Sequence, residues 1–133
     1  MHQSPQEHHN YPLSKFESML KTNNVFFFDS TEFEEIIQHY LENGKIALAK
    51  KAIRMGLQQH PHSLNIRLLE VEVMVFENQF QQAEEVLDQL QGRDPKNEEI
   101  YIQRANIESK KDNHTAAIEW LHRALEFSGE SQD

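Results

Sequence analysis

AKKAIRMGLQQHP at residues 49–61, AEEVLDQLQGRDP at 83–95 and AIEWLHRALEFSG at 117–129 decide the fold of this chain. Each stretch opens on an alanine: Ala49, Ala83, Ala117. Each places a larger apolar residue four positions later: Ile53, Leu87, Leu121. The first two close on Pro61 and Pro95. Successive stretches begin 34 residues apart. A period of this length marks stacked helical hairpins, because a single hairpin cannot bury its own apolar face. The small alanines let the two helices of a hairpin approach closely. The larger residues Phe33, Ile36, Tyr40, Ile53, Leu87, Tyr101 and Leu121 are expected to fill the space between hairpins.

Working outward, local signals divide the chain into helices at 31–43, 45–59, 63–77, 80–91, 97–111 and 114–127. Asp29, Ser30 and Thr31 can cap the first of these, and Thr31-x-x-Glu34 reads as a capping box. Asn43-Gly44 and Asp112-Asn113 are turn sequences. Ser63 and Asn97 are good N-cap residues. Gly92 followed by Pro95 reads as a helix stop. Upstream, Leu13, Phe16, Met19 and Leu20 recur at helical spacing, which predicts a short amphipathic helix over 13–21. Thr22-Asn23-Asn24 breaks it. Val25-Phe26-Phe27-Phe28 follows and is too apolar to leave in water. Residues 12–29 are thus a capping segment that buries Phe16, Phe26 and Phe27, or an arm offered to a partner. Residues 1–11 are polar and carry Pro5, a composition expected to be disordered.

Composition agrees with an all-α chain. Gly and Pro number four each, and no stretch alternates polar with apolar residues. The 133 residues carry a formal charge of −9. That opposes DNA, RNA and anionic membranes, all of which need a basic face. There is no cysteine, which removes disulfides, thiolate metal sites and cysteine nucleophiles. Residues 1–10 lack the charged and apolar regions of a signal peptide. Val25–Phe28 is the longest purely apolar run, far too short to span a bilayer. A cytoplasmic location is the expectation.

The alanine, large-apolar, proline pattern at this period resembles the tetratricopeptide (TPR) repeat. Phe33, Ile36, Tyr40, Ala49, Ile53 and Pro61 fit the pattern in 30–63. Ala83, Leu87 and Pro95 fit it in 64–97, although Arg67 and Glu70 stand at usually apolar places. Tyr101, Ala105, Ala117, Leu121 and Ala124 fit it in 98–131, with Gly129 replacing the proline. The resemblance implies a right-handed α-solenoid whose first helices line a concave groove. Residues 12–29 are similar to the opening of long bacterial TPR proteins. The chain stops at Asp133, where a fourth repeat would begin. A longer parent protein is therefore expected.

By that resemblance the groove is lined by Glu34, Glu35, Gln38, Leu68, Leu69, Glu72, Val75, Phe76, Glu99, Ile102 and Gln103. An apolar strip with an acidic border suits a peptide or helix carrying apolar and basic residues. Equally, the amino-terminal segment could fill this groove, or Leu68 and Phe76 could be ordinary core. The family's terminal-carboxylate grip needs basic residues at Glu34, Gln38, Leu69, Glu99 and Gln103, and none is basic. Helix 114–127 carries Ala116, Ile118, Trp120, Leu121, Leu125 and Phe127, more apolar surface than one neighbour can cover. Self-assembly through Trp120, Leu121 and Leu125 is the alternative reading, with a homo-oligomer as its outcome. His8-His9 and His60-Pro61-His62 are the metal candidates, and neither brings a third ligand. Glu34-Glu35, Glu84-Glu85 and Glu98-Glu99 read as solvated helix faces. No phosphate loop, nucleophile elbow or other catalytic motif is present, so neither an enzyme nor a bound cofactor is expected.

Overall fold

Three left-handed residues set the frame of the chain: Gly44 (φ 70°), Asn78 (φ 63°) and Asp112 (φ 65°). They occupy the same point of the 34-residue period. Glycine adopts this backbone freely, and short polar Asn and Asp tolerate it. After each, one amide reaches back across the turn. Lys45 N donates to Tyr40 O, Gln79 N to Met74 O and Asn113 N to Glu108 O, each at 2.8 Å. The same three residues then open the next helix. Their carbonyls accept from Ala49 N, Ala83 N and Ala117 N, each at 3.0 Å. The repeated alanines thus follow the turns at a fixed offset. The turn at Asn78 falls in the expected break between helices 63–77 and 80–91, although Glu77-Asn78-Gln79 contains neither Gly nor Pro.

The structure, a computed structural model, describes residues 11–129. Seven helices and no strand are found among the described residues: α1 (Tyr11–Thr22), α2 (Ser30–Glu42), α3 (Ile46–Gln59), α4 (Leu64–Phe76), α5 (Phe80–Arg93), α6 (Glu98–Lys110) and α7 (His114–Glu126). The chain divides into two compact units, Met1–Leu69 and Glu70–Asp133. The expected tail, with His8 and His9, lies outside the described residues except for Tyr11. That residue already belongs to α1, where Pro12 is well placed in the first turn.

The first unit holds α1, α2, α3 and the start of α4. Its core is aromatic. Phe16 lies 6.0 Å from Phe28, 6.4 Å from Phe33 and 6.2 Å from Tyr40, ring centre to ring centre. All four rings are fully buried. Edge-on and tilted pairs of this kind add to the burial energy. The segment before α2 is tied down by the end of α3. Gln59 Nε2 donates to Phe26 O at 2.9 Å, and Phe28 N donates to Gln59 Oε1 at 3.0 Å. His60 Nε2 lies 2.7 Å from Phe28 O. A carbonyl only accepts, so this nitrogen carries the proton. The segment is extended, so successive side chains alternate. Phe28 is buried and Phe26 half-buried, while Val25 and Phe27 are exposed. Phe27 is therefore not part of the core it was expected to join. Gly56 of α3 sits where a Cβ would come within 3.2 Å of Phe33 and Ile66. This glycine permits the close approach.

The capping box before α2 lies in a different frame from the one expected. Asp29 is the N-cap: its carboxylate accepts from Glu32 N at 2.8 Å, and Glu32 Oε1 accepts from Asp29 N at 3.0 Å. Asp29 satisfies an orphan donor with a charged acceptor that also suits the positive helix end, so the helix starts at Ser30.

The second unit holds the rest of α4 with α5, α6 and α7. Helix α6 packs against both α5 and α7. Its Arg104 is buried and donates to Asp88 Oδ1 at 2.7 Å and to Gln91 Oε1 at 2.9 Å, both on α5. The guanidinium also stacks 5.3 Å from the Trp120 ring of α7. Tyr101 donates to Pro95 O at 2.6 Å and stacks on Trp120 and Phe127. Helix α5 continues through Gly92 to Arg93, since glycine weakens a helix without ending it. Leu121 of α7 is 45% exposed and fills no space between hairpins, contrary to expectation.

Candidate partner-binding surface

In the first unit, Glu34 on α2 is half-buried, while Glu35 and Gln38 are exposed. Glu35 and Gln38 line one side of a cleft of about 220 Å³ with Ile36, His39 and Glu42; Pro12 and Leu13 of α1 line it too. The start of α1 thus stands beside these side chains. On α4, Leu69 is half-buried and Leu68 is buried. Helix α4 buries Ile66, Leu68, Val71, Val73 and Val75. These positions circle more than one face, which marks an enclosed helix rather than a half-solvated one.

In the second unit, Glu72 on α4 is exposed, and Glu99 and Ile102 on α6 are half-buried. Gln103 Nε2 donates to Glu99 Oε1 at 3.3 Å. The Glu72 side chain stays accessible, yet partial desolvation of its carboxyl pushes it up, and the nearby negative charge of Glu99 adds to the effect. Burial also raises Glu99; the Gln103 hydrogen bond pulls it back in part, and the Glu98 charge raises it further. These are like charges in partial desolvation, a state that a cation from outside relieves. Two basic residues of α6 are engaged elsewhere. Arg104 is on Asp88, and Lys110 Nζ donates to Val75 O at 3.0 Å and Phe76 O at 3.2 Å. Lys110 also lies 5.7 Å from the Phe76 ring. That contact holds the ring in place while it remains 63% exposed.

Three of the eleven expected contact positions are therefore not on the surface: Leu68, Val75 and Gln103 are buried. Periodicity places a residue on a helix face but does not count the helices packed around it. The other eight remain accessible in whole or part. Arg104 and Lys110 are organising residues that sequence inspection missed, and a basic residue amid α6 carries no signal of its burial. No group of three or more His, Asp or Glu converges as a metal site among the described residues. None of the described helices is long and apolar enough to cross a membrane.

Comparison with known proteins adds a family. Among curated proteins, no relative matches the chain. A family model described as tetratricopeptide repeat matches residues 40–107, from the last turn of α2 to near the end of α6. Such repeats are in general protein-interaction modules, and the family is typically non-catalytic. The match spans just over half of the 133 residues and coincides with the helical hairpins and their periodic turns, so the chain belongs to the tetratricopeptide repeat family.

Proposed function

We propose that this protein is an interaction scaffold that holds a peptide or helix of a partner protein, with the end of α4 and α6 in the second unit as a seat. On this reading residues 30–63, 64–97 and 98–131 are its three repeats, with 12–29 as a cap on the first. The observation that carries the proposal is Phe76. A large aromatic side chain stands 63% exposed at the end of α4, one helical turn after Glu72, whose carboxyl is raised by partial desolvation and by the charge of Glu99. Aromatic anchors of this kind dominate the energy of protein interfaces. Ile102 adds apolar area, while Glu72 and Glu99 favour a partner with basic residues and speed its approach.

The test is affinity capture from the native cell extract with mass spectrometry, run beside a Leu69→Glu, Phe76→Glu variant. Circular dichroism checks that the variant keeps its helices. A protein captured by the native chain and lost with the variant is the expected result. Equal capture by both rules out this surface.

A further inference from the structure

The cations of this acidic chain are not spread evenly. Residues 43–69 contain five of its thirteen Lys and Arg and no Asp or Glu. Three of the five, Lys50, Lys51 and Arg54, lie on α3 and are exposed. Ala47 and Gln58, also exposed, complete one face of that helix. The opposite face holds Ala49, Ala52, Ile53 and Gly56, the buried residues of α3. The basic side chains thus stand away from the core of the first unit. The repeat period supplies a control. One period on, α5 carries Glu84, Glu85 and Asp88 at the same three places, and the next period gives α7 Ile118, Glu119 and His122. Glu84 is half-buried and the others are exposed. One backbone geometry accepts basic, acidic and mixed side chains there, so packing does not call for cations on α3. Nor does helix stability. Lys45 stands at the N-cap of α3 without a side-chain cap bond, and no acid lies in the first turn. A cation at that end opposes the helix dipole.

We propose that the α3 face formed by Lys50, Lys51 and Arg54 is a second binding surface, which takes an acidic segment of a partner polypeptide. Three cations on one face attract carboxylates spaced closely along a chain and repel a basic ligand. A short segment need touch only α3. A nucleic acid or an anionic bilayer extends past that helix and meets a chain whose net charge is −9. A second copy offers the corresponding face of α5, but there Asp88 is already held by Arg104 and Glu84 is half-buried. Two copies that each carry −9 also repel one another. The α3 face belongs to the first unit, and its test does not depend on the reading of Phe76.

The probe is a fluorescein-labelled decaglutamate peptide, read by anisotropy against the full chain at about 0.15 M ionic strength. The expected result is saturable binding, at least about tenfold tighter than for decaglutamine and weakening as salt is raised. A protein carrying Lys50→Glu, Lys51→Glu and Arg54→Asp acquires the side chains that α5 bears at the same places. Its circular dichroism is expected to be unchanged, and its affinity for decaglutamate at least about tenfold lower. Lys51→Gln, Arg54→Gln introduces no new charge and is expected to weaken binding in the same direction, which keeps the test decisive if the reversed protein unfolds. Absence of saturable binding overturns the proposal. So does an unchanged affinity in a folded protein with either set of substitutions. Tighter binding of a decameric single-stranded DNA or of phosphatidylserine vesicles assigns the face to phosphate and overturns it as well. Sedimentation across a concentration series closes the remaining route. A dimer abolished by the charge reversal assigns the face to a second copy and also overturns it.

Discussion

Helices α1 and α7 are both amphipathic, and each packs on one neighbour, α2 and α6 respectively. Their apolar residues meet different fates. Phe16 on α1 is fully buried because the extended segment through Phe28 folds back over it and is tied to Gln59 and His60. Leu121 on α7 has no such cover among the described residues and is 45% exposed. The same pattern of apolar spacing thus gives a sealed face in one unit and an open one in the other. What differs is whether a connecting segment returns to cover the helix.

The sharpest way to break this comparison is to truncate both residues. Phe16→Ala is expected to cost about 3–5 kcal/mol, because it empties the centre of an aromatic cluster. Leu121→Ala is expected to cost less than about 1 kcal/mol, because much of its surface stays in water either way. Urea denaturation followed by circular dichroism measures both, and similar losses at the two sites would erase the distinction. Within the second unit, Arg104→Ala is expected to cost about 2–3 kcal/mol, chiefly through lost packing against Trp120 and lost charge-assisted hydrogen bonds. Its partner Asp88 is largely exposed, so Asp88→Ala is expected to cost under about 1 kcal/mol in the same assay.

Two glycines on the second helices extend the contrast, with opposite signs. Gly56→Ala pushes a methyl group against Phe33 and Ile66 in the sealed core. A net loss of about 1–2 kcal/mol is expected. A Cβ at Gly92 meets nothing within 4 Å, so Gly92→Ala is expected to stabilise α5 by about 0.5–1 kcal/mol. The midpoints of thermal unfolding give the order directly.

The smallest effect concerns Glu99, whose pKa is raised above its ordinary value. Its neutral form is the one the fold favours. The associated stability is fully present below the ordinary carboxylate pKa and is lost as pH rises through the raised one. Glu99→Gln is therefore expected to raise the thermal midpoint at pH 7 and to leave it nearly unchanged at pH 4. A larger gain at pH 4 than at pH 7 would contradict that assignment.

Most helix boundaries are legible in the sequence because they depend on local chemistry: Asn97 capping α6, Gly44 turning the first hairpin, alanines at a fixed offset. The sequence reading places the capping box at Thr31, yet Asp29 offers a charged acceptor within the same few residues. Phe27 misled because four consecutive apolar residues look uniform until the backbone is known to be extended. The candidate surface is less legible than the fold. Leu69, Glu72, Phe76, Glu99 and Ile102 remain accessible as read. Leu68, Val75 and Gln103 do not, because α4 and α6 are enclosed on more sides than a single apolar stripe implies. Nothing local announces that Arg104 is buried, since its partners are 13 and 16 residues away on another helix.

The most direct test of the central claim is calorimetric titration of the captured partner into the native chain and into Phe76→Glu. The account predicts an affinity at least about tenfold lower for the variant, as expected for loss of a buried aromatic anchor, with its helical content intact. An unchanged affinity in a fully folded variant would contradict the account and place partner binding elsewhere on the molecule.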